Sequence, residues 1–109
     1  MSETLQLTLK RDWFLLMLSG KKKIEIRKPS EWIKSRLENR DYRSIRFING
    51  YGNDKPYFVC KYVSYEIATK RQLLTFDDKE VKIEVGDYLI YLGEIADKGN
   101  LGDLKEIID

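Results

Sequence analysis

The sequence contains no histidine and only one cysteine, and each shortage excludes chemistry. Because Cys60 is the single cysteine among 109 residues, neither an intrachain disulfide nor a cysteine-based zinc site can form. Without histidine, the chain lacks the side chain whose ordinary pKa lies closest to neutral pH. This excludes Ser-His, Cys-His and two-histidine nuclease mechanisms. Acid–base chemistry would therefore fall to Lys, Glu, Asp, Tyr or a carboxylate-held metal, and we expect no cofactor.

Long hydrophobic runs are also missing. The longest apolar run is the six residues from Trp13 to Leu18, whereas a membrane-spanning helix needs about 18 or more. No charged-then-apolar leader stands before this run. We therefore expect a soluble, cytoplasmic protein without a membrane partner. The length is that of one compact domain, and we interpret 1–109 as a single domain.

Positive charge is concentrated in one segment. Residues 21–46 carry ten basic and four acidic side chains, a net charge of +6, whereas the other 83 residues carry a net charge of −4. Such a distribution is typical of a surface that meets phosphates. The alternative is that the segment is the solvated face of a helix and two strands.

The N-terminal part of the chain predicts a strand and a short helix followed by a second strand. Leucines at every second position, from Leu5 to Leu9, indicate a half-buried strand. Asp12 can cap a short helix that ends at Gly20. Alternation then predicts a strand over residues 22–27, with its charged residues opposite its apolar ones.

A second helix is predicted to begin at Pro29 and Ser30. Its apolar residues form one stripe, and basic residues cover the rest of its surface. We interpret Trp13, on the first helix, and Trp32, on the second, as core residues, because both fall on apolar helical stripes.

Most of the remaining chain predicts strands. We interpret the first segments as a strand around Ile45 and Phe47, a long strand over 57–67, and a loop with at most one helical turn over 68–80. A short strand over 81–85, a turn at 86–87, a strand over 88–92, and a last helical turn or frayed end over 104–109 follow. Helices come early and strands late, so a mixed or antiparallel sheet is favoured over a parallel array. The sequence predicts an α+β fold with a small curved sheet that closes into a barrel.

The segment from Ser19 to Arg27 resembles the Gly-x-Lys-x-x-Glu-x-Arg signature of the ASCH domain, a member of the PUA-like β-barrel superfamily. Gly20, Lys22, Glu25 and Arg27 occupy the four signature positions. Residues 7–20, 46–52 and 86–95 resemble other parts of small ASCH proteins. The resemblance implies a small PUA-like barrel of mixed or antiparallel strands with two flanking helices. It also implies a cleft in which the signature Lys, Glu and Arg meet.

RNA binding is the function that the resemblance implies, and some members of the family look like nucleases acting on single-stranded RNA. In the branch of small acetylcytidine amidohydrolases, a nucleophilic Thr stands where this chain has Glu25.

The residues alone leave three roles open for the signature. Glu25 and Arg27 lie two apart on a strand and project from one face, and the turn after Gly20 can bring Lys22 to the same face. Arg27 beside Glu25 can present a positive fork to a phosphate. Glu25 can instead act as a base beside Lys22. The third role is a structural ion pair.

Our first hypothesis is a binding module for RNA or a modified nucleoside or nucleotide. Tyr51 lies between two glycines in a polar loop, so it can stack on a base or be a plain turn tyrosine. Asn49 is a candidate for a hydrogen bond to a base edge or a sugar. The candidate phosphate contacts are Lys21, Lys23, Lys28, Arg43 and Arg46.

Two further hypotheses come from other functional classes. The chain can be a metal-independent ribonuclease or a nucleoside hydrolase, with Lys22 and Glu25 as the acid–base pair and Arg27 stabilising negative charge. It can also be a regulatory module whose basic second helix, with Lys34 and Arg36, contacts an acidic protein. Three acids, Asp77, Asp78 and Glu80, are interpreted as solvated groups and not as a metal site.

Overall fold

A mixed five-stranded sheet, two helices and a separate hairpin make up the described part of the chain, residues 4–102 of a computed structural model. The elements in chain order are β1 (Thr4–Thr8), α1 (Arg11–Leu18), β2 (Ile24–Arg27), α2 (Glu31–Leu37), β3 (Ser44–Ile48), β4 (Tyr57–Ile67), β5 (Gln72–Phe76), β6 (Lys79–Ile83) and β7 (Tyr88–Gly99). The predicted α+β class is confirmed. Residues 104–109, predicted as a helical turn or frayed end, lie outside the described range.

The large sheet has the strand order β1-β3-β4-β7-β2. Only β1 and β3 pair in parallel, and the other neighbours are antiparallel, so the expected mixed sheet is confirmed. The pairing of β4 with β7 shifts register three times between Val59 and Ser64. Such bulges bend a strand and increase its twist, and the sheet curls into a half-barrel with β1 and β2 as its edges. The curl fits a small barrel-like fold, and the PUA-like type stays a prediction.

The concave side of the sheet holds the main core. Phe14 of α1 packs on Phe58 with ring centroids 5.2 Å apart, and Phe58 packs on Phe47 at 5.3 Å. α2 contributes Ile33 and Leu37, which are one helical turn apart and fully buried. Burying one such side chain stabilises a protein by about 1.5–3 kcal/mol. The core therefore fixes both helices against the sheet that positions the site.

The start of α1 differs from the prediction. Asp12 was expected to cap the helix, but the N-cap is Lys10, whose side chain makes no cap hydrogen bond. The backbone stays extended through Leu9, whose amide donates to the carbonyl of Ile48, so the helix begins before Asp12. Asp12 lies in the first turn, where a carboxylate is still favourable, and pairs with Lys79 at 3.1 Å.

Residues 68–80 were predicted as a loop with at most one helical turn, and this holds for 68–71 but is wrong for 72–80. Residues 72–80 form β5, a turn and the start of β6, which begins two residues before the predicted strand over 81–85. Leu74 and Ile83 pack with Ile24, Ile26 and Leu89 in a second, smaller hydrophobic cluster. Charged residues on the outer side of the hairpin hide its alternation in the sequence. The last strand, β7, is also longer than predicted, since it runs to Gly99.

The two tryptophans differ from the core positions predicted for them. Trp32 is 48% exposed, because Ile33 and Leu37 alone form the buried stripe of α2. Trp13 is only partly buried. The helix α2 begins at Glu31, directly after the predicted start at Pro29 and Ser30, and Ser30 is its N-cap, with its hydroxyl accepting from the amide of Ile33 at 3.1 Å. Within residues 4–102, no helix has the length and apolar character needed to cross a bilayer.

Candidate functional site

The charged residues of β2 face the concave side of the sheet. Glu25 pairs in register with Ile90, and Arg27 with Tyr88, and both partners are buried in the main core. Successive side chains of a strand point to opposite faces. Ile24 and Ile26 therefore pack on the other face, in the small cluster under the hairpin. Both faces of β2 pack against other elements, so the buried carboxylate of Glu25 must be paired to be tolerated there.

Glu25 lies between two cations. Arg27 Nε donates to Glu25 Oε2 at 2.7 Å, and Lys22 Nζ lies 3.5 Å from Glu25 Oε1. Arg27 Nη2 also donates to the carbonyl oxygen of Thr8 at 2.8 Å. Because Thr8 ends β1, this guanidinium bridges the two edge strands of the half-barrel. The structure thus brings the three signature side chains together.

The three side chains differ in their access to solvent. Lys22 is 3% exposed and Glu25 is 5% exposed, whereas the side chain of Arg27 keeps 27% of its surface. Arg27 is therefore the member of the trio that a ligand can reach most easily. Glu25 fixes the orientation of the guanidinium.

Lys22 reaches this place through the turn after α1. Gly20 has a φ of +84°, and the amides of Lys21 and Lys22 both donate to the carbonyl of Leu16. The Lys22 ammonium donates to the carbonyl of Ile24 and lies 5.6 Å from the ring centroids of Trp13 and Phe76. Burial lowers the pKa of Lys22, Glu25 partly offsets this, and Arg27 lowers the pKa further.

A cleft of about 700 Å³ opens over the trio, and we name it the charged cleft. Its volume lies within the range of about 300–1,000 Å³ typical of small-molecule sites. Trp13 forms an apolar part of its wall, and its cationic side chains come from five residues, Lys10, Lys22, Arg27, Lys28 and Lys82. Glu25 supplies the only carboxylate among its described lining residues. The charged cleft therefore suits an anion.

Two of the predicted phosphate-binding lysines are held in ion pairs. Lys28 Nζ lies 3.0 Å from Asp87 Oδ2, and Lys21 Nζ lies 3.0 Å from Asp77 Oδ2. Asp87 is buried and also accepts from the amide of Glu84, so Lys28 has a structural role as well as a place in the charged cleft. Asp77, interpreted as a solvated acid, ties the hairpin to the turn after α1.

The other predicted phosphate contacts lie outside the charged cleft. Arg46 alternates with the buried Ile45 and Phe47, so it points to the convex face of the sheet. Its guanidinium lies 4.0 Å from the ring centroid of Tyr57. Arg43 and Lys23 are exposed, and Lys23 borders a separate cavity of about 280 Å³.

Asn49 and Tyr51 lie in the loop that follows β3. The Asn49 side-chain amide donates to the carbonyl of Leu9 at 3.1 Å, which ties the loop to the end of β1. Tyr51 is 85% exposed between two glycines with positive φ. It does not line the charged cleft.

Sequence reasoning missed Lys10, Trp13 and Lys82 as residues of the charged cleft. Lys10 had a local signal, because it follows the first strand directly and faces the end of the signature strand once the sheet curls. Lys82 had none, since the position of the hairpin over β2 depends on contacts between distant parts of the chain.

The single cysteine has no reactive character in this fold. Cys60 is buried on β4, and burial raises its thiol pKa to about 11. The thiolate is the nucleophilic form, and at neutral pH this thiol stays protonated.

Comparison with protein-family models, with curated proteins and with solved structures gives no match to this chain. The similarity of residues 19–27 to the ASCH signature therefore stays a prediction.

Proposed function

We propose that the protein binds RNA or a nucleotide through the charged cleft. The observation that carries this proposal is the orientation and exposure of the Arg27 guanidinium. Its guanidinium is oriented by Glu25 and by the Thr8 carbonyl, keeps 27% of its surface, and lies among other cations in a cleft with one carboxylate. A guanidinium oriented in this way is ready to bind a phosphate through parallel hydrogen bonds.

The size and wall of the charged cleft also support a nucleotide. A volume of about 700 Å³ leaves room for more than a bare phosphate. The indole of Trp13 offers apolar surface beside the cations. The ASCH resemblance, with the PUA-like barrel it implies, points to the same ligand class.

The geometry gives less support to the hydrolase alternative. Lys22 and Glu25 are almost fully buried, and the Lys22 ammonium already has the Ile24 carbonyl and Glu25 as partners. We therefore assign this pair the task of positioning Arg27. In this proposal Arg27, Lys10 and Lys82 contact the ligand.

Salt-dependent binding tests the proposal. We expect fluorescein-labelled octauridylate and uridine monophosphate to bind, with an affinity for the octamer that falls steeply between 50 and 200 mM salt. The slope of log affinity against log salt is about −0.7 per phosphate contact for single strands. An octamer and a mononucleotide that both fail to bind, or an octamer affinity insensitive to salt, would contradict the proposal.

A pair of variants with equal change in charge locates the site. Lys10→Gln with Lys82→Gln removes two cations from the charged cleft, and we expect it to weaken mononucleotide binding about tenfold and flatten the salt slope of the octamer. Lys70→Gln with Lys98→Gln removes two exposed cations that do not line the cleft. If both double variants weaken binding equally, the charged cleft is not the site.

A further inference from the structure

A second groove begins where the charged cleft ends. It has a volume of about 440 Å³ and runs beside β1, the outermost strand of the sheet. Thr8, the last residue of β1, lines both depressions. We name the second one the edge groove, and its outer wall consists of Trp32, Arg36, Arg40, Tyr42 and Tyr51. A chain molecule bound in the charged cleft can therefore continue into the edge groove.

Two exposed aromatic rings stand along the edge groove. Trp32 is 48% exposed on α2, and Tyr51 is 85% exposed at the tip of its loop. Asn49 holds the loop beside β1, because its side-chain amide donates to the carbonyl of Leu9. Its backbone amide donates to the carbonyl of Pro56. Exposed rings of this kind offer platforms on which nucleic-acid bases can stack.

The charge of the edge groove has one sign. Arg36 and Arg40 are exposed, and none of the described residues that line the groove is acidic. The Arg36 guanidinium lies 5.1 Å from the ring centroid of Trp32, so cation and ring share one surface. Trp32 and Arg36 lie four residues apart on α2, which brings their side chains to one side of the helix, and Arg40 follows the end of α2. Arginines beside exposed aromatic rings suit a single-stranded nucleic acid, whose phosphates can contact the guanidinium groups while its bases stack on the rings.

An extended peptide is the other occupant that an edge strand can take. Two features favour nucleic acid over a peptide. The Thr8 carbonyl, which an added strand would need, already accepts from Arg27. The outer wall also offers flat rings and cations in place of apolar pockets for alternate side chains.

We propose that the edge groove binds the nucleotides that flank the one held in the charged cleft, within a single strand of RNA. Their bases stack on Trp32 and Tyr51, and their phosphates contact Arg36 and Arg40. This inference rests on the proposed function in one respect: the nucleotide next to Thr8 is taken to be held in the charged cleft. A protein that binds RNA along both the charged cleft and the edge groove binds oligonucleotides with higher affinity than mononucleotides.

The test compares ligands of increasing length. Uridine monophosphate and uridine oligomers of two, four and eight residues are titrated against the native protein, the double variant Trp32→Ala with Tyr51→Ala, and the double variant Arg36→Gln with Arg40→Gln. We expect octamer affinity to exceed that of the mononucleotide at least about 100-fold, because two stacked bases add to the contacts in the charged cleft. Loss of both rings should lower octamer affinity by about 100-fold and leave mononucleotide affinity unchanged. The arginine variant should also reduce the salt slope.

The outcomes separate the two proposals. If the octamer binds no more tightly than the mononucleotide, or is insensitive to the ring and arginine variants, the edge groove is overturned and the charged cleft stands. If the mononucleotide does not bind while octamer binding depends on both rings, the edge groove stands and the charged cleft fails as a nucleotide site. A labelled Thr-Val repeat peptide is titrated in parallel. Tighter binding of the peptide than of the octamer would overturn the choice of nucleic acid.

Discussion

At the residue scale, the burial of Lys22 makes stability depend on pH. Its ammonium sits between two rings with one carboxylate 3.5 Å away, and burial lowers its pKa from the ordinary value of 10.5. Between the lowered pKa and 10.5, the unfolded chain binds more protons than the folded one. The free energy of unfolding therefore rises with pH in this window, with a slope of at most about 1.4 kcal/mol per pH unit.

We expect Lys22→Met to remove this rise. The measurement is urea unfolding of the native protein and the variant between pH 7 and pH 10, compared as a difference curve so that tyrosine titration cancels. Lys70→Met, at an exposed site, is the control and should keep the native slope. Equal slopes in native protein and Lys22→Met would show that Lys22 titrates as it does in water.

Glu25 is sensitive to substitution because it pairs with both cations of the trio. Glu25→Gln leaves Lys22 buried without a carboxylate, and breaking a buried ion pair on one side costs about 3–5 kcal/mol. We expect a loss of about 3 kcal/mol in urea unfolding at pH 7. Glu84→Gln, which breaks an exposed pair with Arg71, should cost less than about 1 kcal/mol.

A double-mutant cycle shows whether the cost comes from the unpaired ammonium. Lys22→Met combined with Glu25→Gln should recover at least about 1 kcal/mol relative to the sum of the single changes, because contacting residues are not additive. Additive losses would mean that Glu25 stabilises the fold through Arg27 alone.

Single residues of the site were predictable to the extent that local chain geometry determines them. Glu25 and Arg27 share a face because a strand alternates, and Lys22 joins them because Gly20 turns the chain. Their burial was not predictable, since it depends on Phe76 and Trp13 arriving from distant segments. The exposure of Trp32 was not predictable either. This residue lies on an apolar stripe but stays exposed, because Ile33 and Leu37 fill the core beneath α2.

At the element scale, the hairpin of β5 and β6 is attached to α1 and to the turn after it by exposed ion pairs. Lys79 meets Asp12 at 3.1 Å, and Lys21 meets Asp77 at 3.0 Å. Each exposed pair contributes about 0–1 kcal/mol. Asp12→Asn with Asp77→Asn should therefore open the hairpin about fivefold more often, since about 1 kcal/mol corresponds to that factor.

Amide hydrogen exchange measures this opening. We expect faster exchange in β5 and β6 of the double variant and unchanged exchange in the centres of β4 and β7, because the core pairing is untouched. Native protein in 1 M salt should behave like the variant, as salt screens exposed pairs. Unchanged exchange in the hairpin would mean that the small hydrophobic cluster alone holds it in place.

Elements with strong local signals were predicted well, and the hairpin was not. The long β4 has the predicted bounds, and α2 begins at Glu31, directly after the predicted start at Pro29 and Ser30. The hairpin carries charges on one side and packs only a few apolar residues, so its periodicity is weak until Ile24, Ile26 and Leu89 supply the other half of the cluster.

At the scale of the whole molecule, the mixed sheet followed from the order of helices and strands, but its degree of closure did not. How far a sheet curls depends on bulges such as those between β4 and β7, and nothing local in the sequence specifies their positions. The curl brings the ends of β1 and β2 close enough for one side chain to join them. Arg27 is that side chain.

Arg27 therefore has a structural task that can be measured without any ligand. Arg27→Met keeps the length of the side chain but leaves the Thr8 carbonyl and the Glu25 carboxylate without their donors. We expect a loss of about 2–4 kcal/mol in urea unfolding and faster amide exchange in β1 and β2 than in β4. Arg27→Lys keeps the charge but lacks the planar group that holds two acceptors in fixed positions, so its exchange pattern should resemble that of Arg27→Met with a smaller loss of stability. If Arg27→Lys retains native exchange in both edge strands, charge alone joins the edges and the bidentate bridge is unnecessary.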